Sequence, residues 1–232
     1  MLSIRDLNHY YGESHTLRQL SLEVPAGACT CVMGRNGVGK TTLMKCIMGE
    51  EVPRNGHIRL GDSLELIRQA PEDRARLGIG YVPQGRQIFP LLTVEENLKT
   101  GLGAVREDRE GRLDEVYALF PVLEEMKHRL GGDLSGGQQQ QLAIGRALVL
   151  RPRVLILDEP GEGIQPNIVR QIGELIRTLI ESRGLTVLLV EQKLPFARRF
   201  ADHFALMDRG QVQEAGPMDT LTDELVRRFL SV

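Results

Sequence analysis

The stretch Gly34-Arg35-Asn36-Gly37-Val38-Gly39-Lys40-Thr41 fits the pattern G-x-x-x-x-G-K-[ST]. It follows the apolar run Ala28-Cys29-Thr30-Cys31-Val32-Met33 and precedes Thr42 to Met48, which can continue as a helix, so strand, loop and helix stand in the order a phosphate-binding loop requires. Three glycines let the backbone curl until successive N–H groups face phosphate oxygens, and the helix adds the positive end of its dipole. A polyanion is the guest this chemistry predicts, along Gly34, Arg35, Asn36, Gly37, Val38, Gly39, Lys40, Thr41 and Thr42. Lys40 is expected to reach the β and γ phosphates, and the Thr41 hydroxyl to take one position around Mg²⁺.

With 232 residues, 41% of them hydrophobic, the chain can build a core for one large or two small domains. A formal charge of -2 gives no global basic field, so nucleic acid is not an expected partner. No apolar run approaches the roughly twenty residues of a spanning helix, and Met1 to Asp6 lacks the basic-then-apolar plan of a secretory signal. A cytoplasmic protein is the expectation. Cys29, Cys31 and Cys46 have no partner at zinc spacing and read as small buried hydrophobes.

Alternation predicts antiparallel strands over Leu2 to Leu7 and Leu17 to Val24, with His9-Tyr10-Tyr11-Gly12 between them. Tyr11 is the ring expected to stack on a purine. His9, His15 and His57 stand alone and read as ordinary surface or core side chains. A short strand is expected over His57 to Gly61, and a buried one from Gly78 that stops at Pro83 and presents Gln84 to a metal ion or an attacking water. From Thr93 the pattern turns helical: Thr93 and Glu96 match a capping box, and Leu113, Val116, Tyr117 and Phe120 recur at helical spacing. The charged stretch Arg106 to Arg112 reads as a solvated turn.

Leu134-Ser135-Gly136-Gly137-Gln138 opens a second helix with a hydroxyl and glycine N–H groups, a second anion-binding segment made of Ser135, Gly136, Gly137 and Gln138. Val154 to Leu157 reads as a central parallel strand closed by Asp158 and Glu159. Because successive side chains diverge, Asp158 is expected to face Mg²⁺ and Glu159 the water that attacks the γ phosphate. An amphipathic helix from Pro166 to Gly184, a strand over Thr186 to Val190 ending at Glu191-Gln192, a hairpin about Asp208-Arg209-Gly210 and a helix from Leu221 to Leu230 complete the chain.

The ordered set of aromatic, phosphate loop, strand-end glutamine, Leu-Ser-Gly-Gly-Gln and Asp-Glu resembles the ATP-binding cassette (ABC) ATPases over essentially the whole chain. The resemblance implies an α/β phosphate-loop NTPase fold across residues 1–232, with a RecA-like core, an antiparallel β subdomain and a helical subdomain inserted at about 85–147. It also implies ATP and Mg²⁺ as cofactors, and head-to-tail pairing with an identical or related ATPase, so that Ser135 and Gly137 of one chain close over ATP on the other. Integral permease subunits are implied as partners, with Arg86 to Phe89 as the contact, as are a periplasmic solute-binding protein acting indirectly and a location on the cytoplasmic face of the plasma membrane. The segment Glu162-Gly163-Ile164-Gln165-Pro166 and Val190-Glu191-Gln192 look like the smaller ATPase of branched-chain amino acid importers, most similar to the subfamily serving urea and short-chain amides. Gln192 stands where the broad family has histidine, and Gln165 where it has aspartate. An amide can donate a hydrogen bond to the γ phosphate but cannot take a proton, which leaves Glu159 as the candidate to orient or deprotonate water, with Gln84 and Gln192 beside it. A transporter ATPase for another solute, a non-transport ABC ATPase and a small-molecule kinase are the alternatives.

Overall fold

The computed structural model describes residues 1–105 and 109–230. Alternating apolar residues build an antiparallel hairpin of β1 (Leu2–Tyr11) and β2 (Ser14–Val24), which buries Leu2, Ile4, Leu7, Leu17, Leu20 and Val24 on one face. His9 to Tyr11, expected between the strands, instead ends β1, because the turn falls at Gly12-Glu13 with Gly12 at φ +57°. β3 (Cys29–Met33) is buried at all five positions and runs through the glycine-rich loop into α1 (Lys40–Met48), which Gly49 ends in the left-handed conformation. β4 (Asn55–Leu60), two residues ahead of the expected start, and the two-residue β5 (Leu64–Glu65) complete a sheet of order β2-β1-β4-β5. The next elements are α2 (Pro71–Arg76) and β6 (Ile79–Val82).

Between β6 and the next strand lie α3 (Val94–Gly101), α4 (Arg112–Leu119), α5 (Pro121–Glu125) and α6 (Gly136–Leu148). Thr93 and Glu96 cap α3 reciprocally, as expected. Leu98, Val116, Leu123 and Leu142 pack together in a core shared with Leu155 and Val187 of the sheet. Of the charged stretch expected as a turn, residues 106–108 lie outside the described residues; Gly111 takes a left-handed φ just before α4.

The chain then adds β7 (Val154–Asp158), α7 (Pro166–Arg183), β8 (Thr186–Val190), α8 (Leu194–Phe200), β9 (His203–Asp208), β10 (Gln211–Pro217) and α9 (Asp223–Phe229). The second sheet runs β10-β9-β3-β8-β7-β6, parallel except for the β9–β10 hairpin. The continuous apolar character of β3, β7 and β8 follows from this, since every residue of each is buried. The three cysteines are buried free thiols, and loss of water pushes Cys29 and Cys46 up to about 12. Among the described residues no helix is long and apolar enough to cross a membrane.

One buried cation holds the first sheet's helix layer together. Arg74, on α2, is 2% exposed and donates to the carbonyls of Cys46 (2.6 Å) and Ile47 (2.7 Å) at the end of α1, and to Gln69 O (3.0 Å). Arg74→Met should therefore lower unfolding stability by about 3 kcal/mol, because it strands several buried carbonyl acceptors at once. A chemical-denaturation midpoint unchanged from the wild type would refute that role.

Candidate functional site

The parallel strands send their carboxyl ends to one edge of the second sheet, so the residues just past each strand gather there. β3 delivers the glycine-rich loop, β6 Gln84, β7 the Asp158-Glu159 pair and β8 the Glu191-Gln192 pair. A cavity of about 830 Å³ opens at this edge. Tyr11, Asn36, Gly37, Gly39, Lys40, Thr41, Thr42, Gln84, Glu159 and Gln192 line it, nearly all of the side chains expected at one phosphate-binding centre.

The loop geometry depends on two glycines. Gly39 sits at φ +106°, and a Cβ there would press on Leu17 (3.0 Å); a Cβ at Gly34 would lie 2.5 Å from the Met207 carbonyl oxygen. Gly34, Arg35, Val38 and Asp158 are not among the cavity-lining residues, and the first two contribute backbone. Lys40, 5% exposed, donates from Nζ to the carbonyls of Gly34 (2.8 Å) and Arg35 (2.9 Å). Its ammonium is thus held across the loop by neutral acceptors that an anion can displace. Burial lowers its pKa, and the carboxylates of Glu159 and Asp158 oppose that shift.

Asp158 and Glu159 diverge as alternating strand residues must. Asp158 is 1% exposed, among the described residues neither of its carboxylate oxygens makes a hydrogen bond of full geometry, and desolvation, reinforced by Glu159, pushes its pKa up to about 6 against the pull of the nearby Thr41 hydroxyl and of Lys40. A buried orphan carboxylate beside a threonine hydroxyl has the oxygen donors a hard cation takes. Among the described residues no group of three or more His, Cys, Asp or Glu side chains could hold a metal ion.

Glu159 has left the strand at φ +51° and points into the cavity. Its Oε1 accepts from Gln192 Nε2 (2.6 Å) and its Oε2 from Gln84 Nε2 (3.4 Å). Gln192 Nε2 also donates to Asn36 Oδ1 (2.7 Å), so one amide links the acid to the phosphate loop. Gln84 turns its amide nitrogen toward two carboxylates, Glu159 and Glu162 (3.0 Å). With both glutamines donating to it, the two Glu159 oxygens are held in fixed directions.

Tyr11 ends β1 at the cavity rim with its ring 45% exposed, edge-on to His9 at 4.6 Å between centroids. Partial burial raises the pKa of its hydroxyl, which neighbours Thr42 and Glu51, so the phenol stays neutral. Its free face can take a planar base. His9, His15 and His57 are paired with Glu51, Asn8 and Glu65.

The second expected anion segment lies elsewhere. Ser135 and Gln138 cap α6 reciprocally, Ser135 N–H donating to Gln138 Oε1 (2.9 Å). With Gly136 and Gly137 they line a separate cavity of about 710 Å³, shared with Ile164, Gln165 and Ile168. Within one chain the helix start and the phosphate loop therefore serve different cavities.

The model of the ABC transporter family matches residues 17–162, more than half of the chain. The chain belongs to the ABC transporter family. It is 40% identical over 213 residues to the high-affinity branched-chain amino acid transport ATP-binding protein BraG of Pseudomonas aeruginosa, covering 91% of each chain. It is 37% identical over 224 residues to the probable branched-chain amino acid transport ATP-binding protein LivF of Archaeoglobus fulgidus, covering 96% of this chain and 94% of that one. Its fold superimposes with a TM-score of 0.84 on the dimeric structure of a bacterial ABC transporter cassette at 26% identity, over 94% of this chain and 99% of the other. The protein is an ATP-binding ABC ATPase with the phosphate-loop NTPase fold, and its hydrolysis is coupled to transport.

In this ABC ATPase, five cavity residues escaped the sequence reading: Thr16, Glu162, Gly163, Glu191 and Lys193. Glu191 is 4% exposed; its Oε1 accepts from the backbone N–H of Gln192 (2.8 Å) and of Lys193 (2.9 Å), fixing the loop that aims Gln192. Lys193 Nζ donates to Gly161 O (3.0 Å) and clamps that loop to the one after Glu159. Only the adjacent strand ends could have signalled these contacts in the sequence.

Proposed function

We propose that this ABC ATPase energises uptake of amino acids through a separate membrane permease, working as a head-to-tail pair with a second ATPase subunit. The observation that carries the pairing is the segregation of Ser135 to Gln138 from the phosphate loop, which leaves each chain with half of two anion sites. The dimeric cassette among its structural relatives supports it. In this reading Tyr11 stacks on adenine and Asn36, Gly37, Gly39 and Lys40 grip the phosphates. Ser135 and Gly137 of the partner subunit would close over the γ phosphate. Thr41, Asp158 and Gln84 would hold Mg²⁺, which when bound neutralises charge on the β and γ phosphate oxygens. Glu159 orients the water and accepts its proton, while Gln84 and Gln192 fix the direction of the carboxylate.

The amino-acid cargo follows from the two branched-chain relatives. Urea or a short-chain amide is the second reading, favoured by the segment Glu162-Gly163-Ile164-Gln165-Pro166. Uptake of labelled leucine against labelled urea by vesicles carrying the chain with its permease separates the two. Phe89 and Leu91, 47% and 84% exposed, support a permease contact along Arg86 to Phe89, which would put the protein on the cytoplasmic face of the membrane. A solute-binding protein would then act only through the permease. Ser135→Arg tests the pairing: nucleotide affinity of the separate chain should stay within about twofold while ATP-driven association is lost. Full-speed hydrolysis by a solitary Ser135→Arg subunit would defeat the proposal.

A further inference from the structure

The loop that carries Gln84 continues through three successive left-handed residues, Gly85 (φ +77°), Arg86 (φ +69°) and Gln87 (φ +46°). Two of them are not glycine, so surrounding contacts must hold the backbone there. Those contacts come from two directions. Arg146 of α6 donates to Gln87 O (2.8 Å) and lies over the Phe89 ring (5.2 Å). The Arg86 side chain, half-buried, reaches the other way and donates from Nη1 to Gln139 Oε1 (3.2 Å) and from Nη2 to Glu162 O (3.3 Å).

Those two acceptors belong to segments far apart in the chain. Gln139 lies in the first turn of α6, directly after Ser135 to Gln138; Glu162 closes the turn that holds Glu159, through its N–H to Glu159 O (3.1 Å). The guanidinium sits between them closely enough that a Cβ on Gly136 would meet it at 3.3 Å and one on Gly163 at 3.7 Å. Gln84, two residues earlier, grips the same turn through Glu162 Oε2. A planar fork with several donors can serve both acceptors at once; a lysine ammonium on a flexible stem cannot reproduce that geometry.

We propose that Arg86 is a positioning residue that ties the start of α6 to the Glu159–Glu162 turn, so that displacement of either segment, or of the strained loop between them, is passed to the others. The tie rests on the reading that Ser135 and Glu159 act on ATP. It gives that reading a route within one chain: the helix start offered to a partner's nucleotide and the acid acting on the chain's own are joined by a single side chain.

Hydrogen exchange on the full-length protein tests the tie, comparing Arg86→Ala, Arg86→Lys, Gln139→Leu and the Arg86→Ala, Gln139→Leu double variant with the wild type. Arg86→Ala should speed exchange about tenfold at both 135–140 and 159–163, Arg86→Lys should restore at most one of the two, and the double variant should be no worse than Arg86→Ala. Millimolar guanidinium ion should restore protection in Arg86→Ala. In turnover assays Arg86→Ala should lower kcat about tenfold with ATP affinity of the separate chain within about twofold. Change at neither segment or at one alone, or multiplication of the two single effects, overturns the proposal. Should Arg86→Ala loosen the whole chain, Gln139→Leu, which removes the acceptor of Arg86 and the donation from Nε2 to Gly131 O (3.3 Å), decides by exchange at 159–163, which that second bond does not touch. A wild type that hydrolyses no ATP would count against the functional reading alone, and the exchange comparison would still decide the tie.

Discussion

Glu159→Gln should lower ATP turnover about a thousandfold, the scale expected when a positioned general base is removed. The exchange is nearly isosteric, so the side chain can keep its place at φ +51° and its carbonyl oxygen can still accept from Gln192 or Gln84. What disappears is the negative charge and the capacity to take a proton. The same loss acts in the opposite direction on nucleotide retention. Glu159, Glu162 and Glu191 are three carboxylates lining the cavity, and the charge of Glu159 adds to the desolvation that raises the pKa of Asp158, so neutralising it relieves repulsion toward a triphosphate. The variant should therefore hold ATP and accumulate as a pair in size-exclusion chromatography while releasing almost no phosphate. Glu162→Gln is the discriminating control, because it also removes a carboxylate bonded to Gln84 yet leaves the base in place. Near-normal phosphate release from Glu159→Gln, or an equal loss from Glu162→Gln, would defeat the assignment.

The division between what the sequence discloses and what it hides comes from the range of the interactions. The phosphate loop, the Thr93 and Ser135 caps and the Asp158-Glu159 strand end are written in contiguous residues, because their chemistry is backbone geometry within one or two turns of chain. The β1–β2 hairpin is legible from alternation, but its turn is not. Tyr10 and Tyr11 suit a strand, and only the partnering of Tyr11 with Ser14 moves the aromatics out of a loop. α8 escapes notice because Leu194-Pro195-Phe196 reads as a break, although proline is tolerated in a first turn; α2 has too few apolar residues to show a period. The least legible features are side chains whose partners lie far along the chain. Gln192 meets Asn36 across 156 residues and Arg86 meets Glu162 across 76. A glutamine or an arginine in isolation carries no mark of such a partner, and the polar network around Glu159 becomes visible only when the sheet brings four strand ends together.

Lys40→Ala should weaken ATP binding about a hundredfold, with the loss falling on affinity before chemistry. The ammonium is held at 2.8 and 2.9 Å by the Gly34 and Arg35 carbonyls, and burial has already stripped most of its water, so exchanging one neutral acceptor for a phosphate oxygen costs little fresh desolvation. A charge-assisted hydrogen bond of this kind contributes about 1.5–3 kcal/mol, and each 1.4 kcal/mol is about tenfold in affinity. Removal has a second effect on the loop itself. Without Nζ the two carbonyls lose their common donor, and a backbone that already holds Gly37 at φ +81° and Gly39 at φ +106° is less firmly set to present its N–H groups. Lys40→Met separates the contributions, since it keeps the aliphatic stem and its packing while deleting the charge. If the ammonium dominates, methionine and alanine should weaken binding alike; if loop packing dominates, methionine should recover most of the affinity. A fluorescence titration with a labelled ATP analogue reads both, and unchanged affinity in Lys40→Ala would remove the lysine from the phosphate-binding centre.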